Sequence, residues 1–139
     1  MTSPFHQGGC LCGSTRYRAA AEPRALTLCH CNSCRRASGA PSVAWAVFSA
    51  DSFEFTKGEP VRFRSSPNVE RTFCGRCGTP LTYQCDSRRD AIDVTTATLD
   101  EPDRFAPTFE IWVGEKIAWE TLDDKLPHYP RSSKDSAPV

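Results

Sequence analysis

The sequence carries no excess of charge: 17 Lys and Arg stand against 17 Asp and Glu, a formal net charge of +0 at pH 7. That balance implies no basic face, and nucleic acid is not favoured as a partner. Long apolar runs are missing as well. The longest uncharged stretch beyond the N-terminal region, Ala37 to Ala50, is interrupted by Gly39, Pro41 and the serines Ser38, Ser42 and Ser49. A membrane-spanning helix needs about 20 mostly apolar residues, so this stretch reads as core and no membrane partner is expected. The opening Met1-Thr2-Ser3-Pro4-Phe5-His6-Gln7 has neither the charged n-region nor the apolar h-region of a secretory leader. A cytoplasmic location follows as the expectation. No repeat period and no coiled-coil pattern is present.

Helical patterning is scarce, and strand patterning takes its place. Thr15–Ala19, Leu26–Cys29, Phe53–Phe55, Val61–Arg64, Arg71–Phe73, Leu81–Tyr83, Ile92–Thr95 and Phe109–Val113 are short strand-like segments. Val43–Phe48 is apolar on both faces. Segments of this kind, parted by Gly, Pro, Asp and Ser, predict a mainly β fold of antiparallel sheets. Helix is expected only at a turn beginning at Asn32 and near Asp100–Arg104. The 139 residues suit one domain, with a frayed tail from about Pro130. The aromatics Trp45, Phe48, Phe53, Phe55 and Phe63 are read as core, and His6 and His128 as surface residues near the termini.

What the chain has in excess is cysteine, eight in 139 residues. Without a secretory leader a disulfide framework is not expected, and thiols clustered at short spacing in a reducing compartment point to metal. Cys74-Gly75-Arg76-Cys77-Gly78 has the spacing of a zinc knuckle, in which two sulfurs reach one ion at about 2.3 Å. A redox reading of Cys74 and Cys77 lacks the βαβ context it needs. Cys10-Leu11-Cys12, read as an extended strand, puts both sulfurs on one side and forms another half-site. Two half-sites make one closed, structural zinc site.

The middle cluster, Cys29-His30-Cys31-Asn32-Ser33-Cys34, brings three thiolates together from one short segment. Three protein ligands leave a tetrahedral zinc one position for substrate, as in catalytic sites. Spacing alone does not decide which half-sites pair. Joining Cys10 and Cys12 to Cys74 and Cys77 keeps the trio of Cys29, Cys31 and Cys34 whole. His30 lies between two ligands and faces away from them in an extended segment. Cys85 either closes the trio into a four-ligand site or is a small buried hydrophobe at a strand end. Three functions stay open on these residues: an enzyme with an open zinc, a zinc-stabilised binding or thiol-carrier module without chemistry, and a redox sensor.

Three blocks together resemble a known family. Gly9-Cys10-x-Cys12-Gly13, Cys29-His30-Cys31-x-x-Cys34-Arg35-Arg36-Ala37-Ser38-Gly39-Ala40-Pro41 and Phe73-Cys74-x-x-Cys77-Gly78-Thr79-Pro80-Leu81 look like the glutathione-dependent formaldehyde-activating enzymes. The centromere protein V-type proteins are grouped with them. The likeness runs from about residue 8 to about residue 130, through Trp119 and Leu126-Pro127-x-Tyr129. It implies an Mss4-like zinc-binding β fold. It also implies two Zn²⁺: a structural one on Cys10, Cys12, Cys74 and Cys77, and a catalytic or labile one on Cys29, Cys31 and Cys34. The activity it implies is that of a carbon–sulfur lyase, with glutathione as co-substrate and a small thiol and a small aldehyde as partners. Arg35 and Arg36, next to the trio, are the candidates to hold the co-substrate by offsetting thiolate charge or gripping a carboxylate. The pattern departs at Glu110, where many relatives have His.

Overall fold

The computed structural model describes residues 5–134 and 136–139, so Met1–Pro4 of the opening segment and Asp135 of the tail lie outside the described residues. The chain is mainly β. Its strands are β1 (His6–Gly9), β2 (Arg16–Ala19), β3 (Ala25–Cys29), β4 (Val43–Ser49), β5 (Phe53–Lys57), β6 (Val61–Ser66), β7 (Val69–Phe73), β8 (Pro80–Cys85), β9 (Ala91–Thr95) and β10 (Phe109–Ile111). The single α-helix among the described residues, α1, spans Asn32–Ser38, where a helical turn was expected. A 3-10 turn covers Pro102–Phe105. All the expected strands occur except the extended segment at Cys10–Cys12; β1 is additional, because His6-Gln7-Gly8-Gly9 has no apolar alternation to announce it.

The fold separates into two compact units that interleave along the sequence. The first takes residues up to Arg24 and Ala46–Phe105, the second Ala25–Trp45 and Ala106–Val139. Within the first unit β1, β2 and β5 form an antiparallel sheet. The other strands there run in the order β4-β9-β8-β7-β6. Tyr17, Ala19, Phe48, Leu81, Val94, Leu99 and Phe105 are buried in this unit. Each large apolar side chain so buried is worth about 1.5–3 kcal/mol relative to exposure. Gly8 is required in β1: a Cβ there would collide with the Tyr17 hydroxyl and the Thr98 carbonyl.

Two expectations fail in this unit. His6 is buried, because the β1 pleat turns it inward. Its ring packs edge-on against Phe105 at 5.1 Å and its Nε2 meets Glu22 Oε1 at 2.9 Å. Phe63 is exposed rather than core, since it lies on β6, the last strand in its sheet, whose six residues are all exposed. Trp45 and Phe48 are buried as expected, and Phe53 and Phe55 are half-buried.

In the second unit the order is β10-β3-β4. β10 runs parallel to β3, with Ile111 opposite Cys29 and Glu110 opposite Leu28, so the sheets are mixed rather than purely antiparallel. The opposite edge of β10 is taken by the Pro127–Tyr129 segment, through Glu110 N–H to the Pro127 carbonyl and Tyr129 N–H to the Glu110 carbonyl, both at 2.9 Å. β10 stops at Ile111 instead of running on to Val113. Trp112 adopts a left-handed backbone (φ 58), which for a non-glycine residue costs of order 1–2 kcal/mol. Pro130 and Arg131, expected within the frayed tail, accept backbone hydrogen bonds from Gly114 and Trp112. Among the described residues no helix is long and apolar enough to cross a membrane.

Candidate functional site

The sulfurs of Cys10, Cys12, Cys74 and Cys77 all lie within 4.8 Å of one another. The site is one construction used twice. Cys10 follows β1 and Cys74 follows β7. In each case the chain turns back through a glycine with positive φ, Gly13 (80) or Gly78 (81). Each glycine donates its N–H to the carbonyl of the first cysteine, at 3.2 Å for Gly13 to Cys10 and 2.8 Å for Gly78 to Cys74. Cys10 and Cys12 therefore sit in a tight turn, not in the extended strand expected from their spacing; the left-handed Gly13 reverses the chain there. The sulfurs still converge, because the turn folds Cys12 back beside Cys10.

The donor set fits zinc. Sγ–Sγ separations are 3.6 Å for Cys10 to Cys12 and 3.8 Å for Cys12 to Cys74. Four sulfurs about 2.3 Å from a tetrahedral zinc would be about 3.8 Å apart. Nearby donors favour the thiolate form at Cys74 and Cys77, while Cys12 is shifted upward. The Ser14 hydroxyl, ahead of the Cys77 and Arg76 backbone N–H groups, lowers Cys74 from 9.0 to about 5. The Thr79 hydroxyl and backbone lower Cys77 to about 7.

The second group consists of Cys29, Cys31 and Cys34, whose sulfurs also lie within 4.8 Å of one another. Cys29 ends β3. Cys31, still extended (φ −68, ψ 152), is the N-cap of α1, and its sulfur accepts the Cys34 N–H at 3.3 Å. This cap turns Cys34, the buried residue of α1, back towards Cys31. Glu115 accepts the Asn32 N–H at 2.8 Å, and Gly39 in a left-handed conformation closes the helix through Arg35 O. The neighbouring Cys31 and Cys34 thiols, and then burial, raise the pKa of Cys29. Three sulfurs so close suit a thiophilic ion such as zinc.

Among the described residues neither His30 nor Cys85 joins a metal-ligating group. Cys85 ends β8 in the first unit, half-buried, with its sulfur 3.1 Å from Ser87 Oγ. His30 is fully buried. Its Nε2 lies 2.7 Å from Glu110 Oε1, and its Nδ1 has no partner. Glu110 is fully buried too, and its Oε2 accepts the Asp123 N–H at 2.8 Å. His128 Nε2 lies 2.8 Å from the Asp123 carbonyl and 3.2 Å from Glu110 Oε2. A carbonyl can only accept, so this nitrogen of His128 carries a proton. His128 is thus part of an internal network, not the plain surface residue expected; its bridge to β10 draws it in.

Arg35 and Arg36 stand in the last turn of α1. Arg35 Nη2 donates to Asn32 Oδ1 at 2.7 Å, while its Nε–H is buried without a partner. Arg36 is exposed.

The profile of the glutathione-dependent formaldehyde-activating enzymes matches residues 5–115. The chain belongs to that family. An uncharacterized lyase of Schizosaccharomyces pombe is 35% identical over 81 residues, 58% of this chain and 58% of that protein. The match thus spans less than two thirds of that relative's length. A Rhodobacter sphaeroides protein of known crystal structure shares the fold, with a TM-score of 0.58 at 22% identity, covering 68% of this chain and 87% of that one.

Proposed function

We propose that the chain is a zinc-dependent carbon–sulfur lyase of the glutathione-dependent formaldehyde-activating type, adding a small, glutathione-like thiol to a small aldehyde. The observation that carries this reading is the contrast in ligand number between four sulfurs at one site and three at the other. The four-sulfur set is saturated and structural in character. At the three-sulfur set a bound zinc would supply Lewis acidity and hold an incoming thiol as thiolate near neutral pH. Family membership supports the same chemistry.

The chain's own residues would do the rest. Cys29, Cys31 and Cys34 supply a donor set of three negative charges, so a zinc there carries 2 − 3 = −1, and a fourth thiolate makes it −2. That charge favours activating a thiol over activating water, since strong sulfur donors weaken the ion as a Lewis acid. It also calls for cations nearby. Arg35 and Arg36 follow the trio directly and are the candidates to offset that charge or hold a substrate carboxylate. Cytoplasmic location belongs to the same reading.

Counting metal on the purified protein with and without glutathione tests the proposal. Two zincs, one of which changes its coordination or release rate with added thiol, is the expected result. One zinc, or two that ignore thiols, would overturn it in favour of a binding module.

A further inference from the structure

The buried carboxylate of Glu110 belongs to neither cysteine cluster, yet every polar neighbour it has is a donor. Asp123 N–H points at Oε2 from 2.8 Å, and the protonated Nε2 of His128 stands 3.2 Å from the same oxygen. Oε2 therefore accepts one hydrogen bond, from Asp123, while the His128 N–H beside it is given to the Asp123 carbonyl. On the other side Oε1 takes His30 Nε2 at 2.7 Å. With Oε2 engaged by the Asp123 N–H and Oε1 turned to His30, Glu110 holds His30 in the tautomer with the proton on Nε2. The backbone of the same residue adds two more ties, to Pro127 and Tyr129. The Glu110 side chain thus adds a second link, beside the backbone pairing of β10 with β3 and with Pro127–Tyr129, between His30, flanked by Cys29 and Cys31, and the Asp123–Tyr129 segment.

We infer that Glu110 is a positioning residue for the second metal site, a clasp that fixes the Cys29–Cys34 segment by gripping His30 from the C-terminal side. It touches no sulfur and takes no part in the chemistry. It sets how well three thiols on a short stretch keep the spacing that a metal ion needs. Isolated, that six-residue stretch is a strand end, two connecting residues and the start of α1, and ordering it on each binding event would weaken binding. Partners of this kind behind ligand-bearing residues typically change metal affinity by about 10–100-fold. The inference rests on the reading that the trio holds a metal.

Glu110→Gln keeps the size of the side chain but replaces one acceptor oxygen by a donor NH₂. His30 or Asp123 then faces a donor with a donor. Zinc release into a chromogenic chelator, followed in the two-zinc protein, is expected to speed up about 10–100-fold for one zinc and to stay within about twofold for the other. His30→Leu is expected to behave like Glu110→Gln, and His30→Gln, which can still donate to the carboxylate, to restore release to near the unaltered rate. A second readout needs no metal: alkylation of the metal-free thiols, resolved by peptide mass spectrometry. There Glu110→Gln is expected to raise the rates of Cys29, Cys31 and Cys34 but not those of Cys10 and Cys74. Equal acceleration at both cysteine groups, or none at either, would overturn the inference. If the unaltered protein holds a single zinc, the functional reading falls, and the alkylation experiment still decides the role of Glu110.

Discussion

The two units are held together by different materials. The first buries tyrosine, phenylalanine, leucine and valine side chains from many strands, and its four sulfurs sit in two glycine turns that follow β1 and β7. Among the described residues of the second unit the buried side chains are Thr27, Cys29, His30, Cys34, Val43, Trp45 and Glu110, only two of them ordinary hydrophobes. An apolar core is stable whatever the solution holds. A core of thiols and one histidine–carboxylate pair depends on what binds it and on every hydrogen bond being made. The difference teaches that the four-cysteine cluster is an addition to a packed fold, whereas the three-cysteine cluster stands where a core would be.

That contrast can be broken by substitution. The largest effect is expected from Phe48→Ala in the first unit. Phe48 is fully buried, and removing such a ring costs about 3–5 kcal/mol. Thermal unfolding should show Tm lower by about 10–20 °C, with both zincs retained below the transition. Cys34→Ser should do the opposite. The zinc count is expected to fall from two to one, and amide exchange should rise about tenfold or more in residues 25–45 and 106–139, with little change in 46–105. Uniform loosening in that experiment would mean that the units do not differ as described.

Acidification sharpens the comparison further. In the first site the folded protein lowers Cys74 to about 5 and Cys77 to about 7 from 9.0, two of its four thiols, while Cys12 is raised. A lowered pKa contributes stability that is fully present above pH 9 and is lost as pH falls through these values. In the second site Cys29 is shifted the other way, so a metal must displace a more firmly held proton. Zinc should therefore leave the trio at a higher pH than the four-cysteine site, as two separated steps in a release titration. A single step would contradict the contrast. The smallest effect is expected from Cys85→Ser: an unchanged zinc count and a Tm within about 2 °C, as suits a half-buried residue outside both clusters.

How much of this was legible beforehand depended on sequence distance. The cysteine groups could be read because each half-site is local: two residues apart at Cys10 and Cys12, three at Cys74 and Cys77, five across the trio. The joining of Cys10 and Cys12 to Cys74 and Cys77 did not follow from spacing; it was preferred because it keeps the trio whole, and the four sulfurs do lie together. The turn at Cys10 was misread as a strand, because Cys-x-Cys fits both and Gly13 decides between them through its backbone alone. β1 was invisible since two of its four residues are glycine. Phe63 looked like core because alternation does not say which strand lies at an edge. The Glu110 network could not be read at all. His30 and Glu110 are 80 residues apart, and a lone glutamate in an otherwise apolar strand gives no sign of its partner.

The interleaving of the units also imposes an order of events while the chain is being made. The four-sulfur cluster is complete at Cys77, inside a unit whose last strand is finished at Thr95. All three thiols of the trio are synthesised by residue 34, but the strand that backs them arrives 76 residues later (34 to 110). At about 5–20 residues per second that is a wait of roughly 4–15 seconds. For that interval the nascent protein offers bare sulfur to any soft metal or oxidant it meets, so the site most dependent on late-arriving chain is also the one with the longest exposure to error.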